Sequence, residues 1–132
     1  MPDGRASHPE TLCRSSGTDG VDTESHADAD GVEAVPDVFL QQGAAGEKTS
    51  VQQFEIEPGA TVPEHSHPHE QAGYVAEGEL TFLVDGREIV VGPGDSYVLP
   101  GGEPHAAENR GEKRVVGIDV FAPPRTDPDW AE

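Results

Sequence analysis

Three histidines fall in the segment His65-Ser66-His67-Pro68-His69, and a fourth, His105, lies further along the chain. Imidazole is a ligand that zinc, iron, nickel, copper, cobalt and manganese all accept. On an extended strand, residues i and i+2 project to the same face, so His65 and His67 can reach one ion. From the pair alone, a metal site and a solvent-facing pair of rings stay equally open. His69 keeps the same parity, but Pro68 interrupts the strand, so His69 is expected beside the site or at the surface. Gln71 is in phase with His65 and His67, whereas Glu70 has the opposite parity and is expected to face outward.

A second group stands near the C-terminus, in Ile118-Asp119-Val120-Phe121-Ala122-Pro123-Pro124-Arg125. Asp119 is an acid inside an apolar strand and shares a face with Phe121. Turned inward, its carboxylate is costly unless it is hydrogen-bonded, paired or functional. The stiff Pro-Pro step would then hold the Arg125 guanidinium near the same place. Turned outward, Asp119 would make a surface ion pair with Arg125 or Arg87, and this reading also stays open. Glu103 and Glu108 beside His105 read as solvated loop acids. His8, His26 and Cys13 lie in the N-terminal stretch and read as idle. The glycines mark turns, since neither G-x-G-x-x-G nor G-x4-G-K-[ST] occurs.

The elements that must position these groups read as strands. Apolar and charged residues alternate in Phe54-Glu55-Ile56-Glu57 before Pro58-Gly59 stops the run. Leu80, Phe82 and Val84 alternate toward an Asp85-Gly86 hairpin turn, and Ile89-Val90-Val91 returns from it. Tyr97-Val98-Leu99 precedes Pro100-Gly101-Gly102, and the long apolar run from Val115 to Phe121 is expected to be central. No segment shows ten residues of helical periodicity with caps. Many short strands at this spacing predict an all-β sandwich or small barrel, a fold that holds one small ligand in its mouth.

The chain has 132 residues and a formal net charge of −18, with 26 acids against 8 bases. One domain with a tail fits that length. A polyanion would be repelled, so nucleic acid is not an expected partner, and anionic membrane surfaces are disfavoured for the same reason. No apolar run approaches the ~20 residues of a membrane span, and the first residues lack an apolar signal stretch. A single cysteine excludes an internal disulfide. These features predict a cytoplasmic protein. Residues 1–36 carry −6 and few large apolar side chains, so they read as a disordered acidic tail, with the folded body at 37–126 and a short tail at 127–132. The rest of the chain keeps −12, and only Lys48 and Lys113 are lysines. An acid-rich, lysine-poor surface stays hydrated in concentrated salt, which predicts a halophilic protein.

Two spaced patterns complete the reading. Gly59, His65, His67, Gln71 and Gly78 follow G-x5-H-x-H-x3,4-E-x6-G except for Gln in place of Glu. Gly94, Pro100, Gly102, His105 and Asn109 follow G-x5-P-x-G-x2-H-x3-N at every fixed position, fifteen residues further on. Together they resemble the two motifs of the cupin family, over roughly residues 38–125. The resemblance implies a six-stranded jelly-roll β-barrel, often dimeric. It implies one divalent transition metal, held by His65, His67, Gln71 and His105 from three separate strands. With three imidazoles and an amide, no ligand charge cancels that of the ion. Such an ion is a stronger Lewis acid and attracts an anionic ligand. Asn109 is expected to fix a turn. Strand residues around Val38 to Leu40 are expected to pair across a two-fold axis.

The histidine segment and the C-terminal stretch together resemble the small cupins of pectin and alginate breakdown that linearise unsaturated uronates. By that resemblance the metal and Arg125 hold the substrate carboxylate and a ring hydroxyl. Asp119 moves the proton as a cyclic hemiacetal opens, and Phe121 packs on the sugar ring. The implied function is a metal-dependent enzyme that opens or isomerises a small acidic sugar or related metabolite. A non-haem metal dioxygenase and a non-catalytic small-molecule-binding cupin are the alternatives. The sequence names neither the metal nor the substrate.

Overall fold

The computed structural model describes residues 20–25 and 31–125. The expected short tail at 127–132 and most of the expected acidic tail, with His8, His26 and Cys13, lie outside the described residues. Among the described residues ten strands follow one another: β1 Val32–Val35, β2 Val38–Ala45, β3 Ser50–Ile56, β4 Thr61–His65, β5 Glu70–Glu77, β6 Leu80–Val84, β7 Arg87–Val91, β8 Ser96–Leu99, β9 His105–Glu108 and β10 Val115–Ala122. All pairings are antiparallel. A six-stranded sheet has the order β1-β2-β3-β10-β5-β8, and a four-stranded sheet the order β4-β9-β6-β7. The expected all-β jelly roll is the fold observed. Among the described residues no helix is long and apolar enough to cross a membrane.

The two-residue period does the sorting. On β3 it turns Ser50, Gln52, Phe54 and Ile56 inward, and on β10 it turns Val115, Gly117, Asp119 and Phe121 inward. The core between the sheets is built from Val38, Phe54, Ile56, Val75, Leu80, Phe82, Val84, Val91, Leu99 and Val115, among others. The Val115 run is central as expected: β10 pairs with β3 on one side and β5 on the other. The Asp85-Gly86 hairpin also forms, with both residues at positive φ and Val84 opposite Arg87. Asn109 is buried, and its Nδ2 donates to the carbonyls of Ile56 and Lys113 while its Oδ1 accepts from the Gly111 amide. It is the expected turn-fixing residue.

Two expectations are corrected. The folded body begins before Asp37, because Val32–Val35 forms β1 inside the segment read as a tail. Four residues with two valines were too short a signal against the acidic surroundings. Their order comes from pairing with β2, where Val32 faces Leu40 and Val35 faces Val38. That pairing also covers Val38 to Leu40, so β2 is not an edge strand, and the edges of the larger sheet are β1 and β8.

Candidate metal centre

The histidines converge at one end of the space between the sheets. His65 ends β4 and His105 starts β9, and the two are direct cross-strand partners in the smaller sheet. Gln71 lies on β5 in the larger sheet, so the four residues reach the site from both layers. His67 does not share a strand with His65. It lies in the connection from β4 to β5, where its carbonyl accepts a hydrogen bond from the Gly102 amide at 2.7 Å. The i, i+2 argument therefore brought the right pair together for an incomplete reason. One ligand atom from each of His65, His67 and His105 lies within 4.8 Å of the others.

The hydrogen bonds of the rings fit a metal. Nδ1 of His65 faces the Pro63 carbonyl at 2.9 Å, Nδ1 of His67 the His69 carbonyl at 3.1 Å, and Nδ1 of His105 the Glu103 carbonyl at 2.9 Å. A carbonyl can only accept, so each contact places the single proton of a neutral imidazole on Nδ1. The Nε2 lone pair is then left for a cation, as in histidine metal sites generally. His67 sharpens the test. Its Nε2 faces the Gln71 Oε1 at 3.1 Å, so both ring nitrogens oppose an oxygen acceptor. A neutral ring can donate to only one of them. Burial, the Arg125 charge and the neighbouring His105 and His65 lower the His67 pKa to about 4, so the ring is not doubly protonated at neutral pH. A cation held by His67 and Gln71 would remove the conflict. Burial also lowers the pKa of His105.

Gln71 has a second partner in Asp119. A carboxylate demands the amide N–H, so the Gln71 carbonyl oxygen is the atom turned toward His67. Asp119 is buried, at 5% exposure, as its inward reading requires. The Tyr97 hydroxyl donates to its Oδ1 at 2.5 Å. The register explains the contact: Asp119 lies opposite Gly73, and Gly73 lies opposite Tyr97. A side chain at Gly73 would occupy the space where the Tyr97 ring and the Asp119 carboxylate meet. Desolvation raises the Asp119 pKa to about 6 against the opposing effects of Tyr97, Gln71 and Arg125. Burial and Asp119 together push the Tyr97 phenol upward. Tyr97 was not found from sequence, because its partner is set by strand register and not by spacing.

Phe121 and Arg125 frame the other side. The Phe121 ring meets the His67 ring at 5.7 Å and the His69 ring at 6.0 Å, both edge to face. The Arg125 guanidinium sits 5.3 Å from the Phe121 centroid, a cation–π distance. The Arg125 amide donates to Ser50 Oγ at 2.7 Å, which ties the C-terminal segment back to β3. His69 is beside the site, with its Nδ1 buried and unbonded, and Glu70 is exposed. A cavity of about 460 Å³ opens onto His65, Gln71, His105, Asp119, Phe121 and Arg125 and extends over an apolar floor that includes Phe54 and Phe82.

A barrel of two antiparallel sheets with this histidine cluster defines a class. The chain belongs to the cupin family: the cupin domain profile matches residues 52–121, more than half of its length. Among its relatives is the pectin degradation protein KdgF of Dickeya dadantii (strain 3937), 34% identical over 70 residues, or 52% of this chain and 63% of that protein. The H2HPP isomerase of Bacillus subtilis is 33% identical over 67 residues, or 51% of this chain and 28% of that protein. The chain thus spans less than two thirds of either relative. The solved structure of KdgF from Halomonas sp. superposes with a TM-score of 0.71 at 27% identity, covering 79% of this chain and 94% of that one.

Proposed function

We propose that the protein is a metal-dependent enzyme that opens the ring of a small acidic sugar of the unsaturated uronate type. The observation that carries this reading is the buried Asp119 carboxylate, hydrogen-bonded by Tyr97 and Gln71, facing the same cavity as the histidine cluster and Arg125. Similarity to the pectin degradation protein KdgF of Dickeya dadantii, and to the KdgF structure from Halomonas sp., supports it. His65, His67, His105 and Gln71 would hold a divalent transition metal, which when bound would supply Lewis acidity to a substrate oxygen.

The chain's own residues do the rest. Arg125, fixed over Phe121, binds the substrate carboxylate. Asp119 accepts the proton of the anomeric hydroxyl as the carbonyl forms and the bond from the anomeric carbon to the ring oxygen breaks. The electron pair goes to the ring oxygen, giving an enolate, and the proton that Asp119 took is returned to the far carbon of the enolate double bond, which completes the keto form and restores the Asp119 carboxylate. The sum is an isomerisation that needs no co-reactant. With a pKa near 6, Asp119 is ionised at neutral pH and is close to the range where a general base works best. Phe121 positions His67 and Arg125 by packing against both.

The test uses the purified full chain, its metal content measured, with 4,5-unsaturated galacturonate. Turnover should be seen as loss of the conjugated absorbance and should vanish when a chelator removes the metal. Asp119→Ala should lower kcat by about 100-fold or more. A metal-loaded wild type that leaves the uronate unchanged overturns the proposal.

A further inference from the structure

Gln52 is a buried amide that the site as described does not use. It lies on the inward face of β3 at 6% exposure, lines the cavity, and stands directly opposite Asp119 in the β3–β10 register. On the other flank of Asp119, Gly73 opens the space that Tyr97 fills. The Gln52 flank holds an amide instead, and among the described residues no side-chain hydrogen bond satisfies it. The Gln52 amide is not sealed in the core but opens onto the cavity, whereas Phe54 and Ile56 continue the same face as apolar residues. The amide therefore has its partner in what enters the cavity.

We infer that Gln52 is a specificity-determining residue that binds the sugar hydroxyl next to the oxygen on which Asp119 acts. Directly opposed residues of neighbouring strands have Cβ atoms about 5 Å apart, which sets the two polar groups side by side at the scale of two adjacent ring oxygens. An amide offers both a donor and an acceptor, and so does a hydroxyl, so the pair matches in either sense. A substrate lacking that hydroxyl would leave the Gln52 amide buried and unpaired, which is how such a site rejects a deoxy analogue. This inference rests on the proposed uronate chemistry.

The test is Gln52→Leu, near in volume and apolar, in the metal-loaded full chain. If Gln52 serves the substrate and not the fold, the variant should melt at the wild-type temperature or above and keep its metal. Its kcat/KM for 4,5-unsaturated galacturonate should fall about 10- to 100-fold, mainly through KM. Preference for that substrate over the 2-deoxy analogue should shrink by a similar factor. A lowered melting temperature would mean that the amide has a structural partner and would overturn the inference. So would unchanged kcat/KM in an active, stable variant. A wild type that neither binds nor converts the uronate overturns the proposed function itself, which the first two outcomes leave standing.

Discussion

At the scale of single residues, the site depends on which proton sits where. The three Nδ1–carbonyl contacts fix the histidine tautomers, and the chain Tyr97–Asp119–Gln71 fixes the amide. Asp119 gives a pH prediction with a definite sign. Its pKa rises from the ordinary 3.8 to about 6 on folding. The folded chain therefore holds a proton between those values that the unfolded chain has lost, and stability falls as pH rises through that window. The penalty is complete above it. Asp119→Asn removes the charge and keeps an acceptor for Tyr97, so it should stabilise the metal-free chain at pH 7 to 8 by up to about 2 kcal/mol. The gain should shrink toward pH 4. Urea unfolding at several pH values checks this, and no gain at neutral pH would refute it. His67 runs the other way. Its folded pKa near 4 lies below the ordinary 6.5, so its contribution is present at neutral pH and is lost as pH falls from 6.5 toward 4.

At the scale of elements, β10 organises the molecule. It pairs along its whole length with β3 and β5, and it carries Asp119 and Phe121 on the face that the core requires. The two-residue period put Asp119 and Phe121 on one face in the sequence, and the structure decides that this face turns inward. The hairpin at Asp85-Gly86 was legible for an equally local reason, since that turn needs two residues at positive φ. Strand β9 was not legible from pattern: His105-Ala106-Ala107-Glu108 has three consecutive buried residues and no alternation. Strand β1 was missed because its stability comes from β2 and not from itself. It covers the β2 edge, and its Ala34 and Val35 line the cavity. A chain starting at Asp37 should therefore expose the β2 edge and associate, while a chain starting at Gly31 should match the full-length protein. Light scattering of the two truncations decides. Equal behaviour would mean that β1 has no protective role.

At the scale of the whole molecule, charge is the dominant feature. The chain carries a net charge of −18 on 132 residues, and the charged groups of its cavity include Arg125. An acidic shell repels an anionic substrate, and it repels itself. Both effects weaken once the screening length drops from about 10 Å at 0.1 M salt to about 3 Å at 1 M. The melting temperature and the kcat/KM for an anionic substrate should therefore both rise between low and molar potassium chloride. A steep fall in either would count against adaptation to salt.

The sequence by itself determined the fold class, the two spaced motifs and the identity of the histidines, because strand period, turn chemistry and motif spacing are local properties of the chain. Only the tertiary structure decided the partners. The His65–His105 pairing, the meeting of Tyr97 and Asp119 across Gly73, and the place of Gln52 beside Asp119 all come from register between strands distant in the chain. Register is set by how the two sheets bury their apolar faces together, and no single segment carries that information.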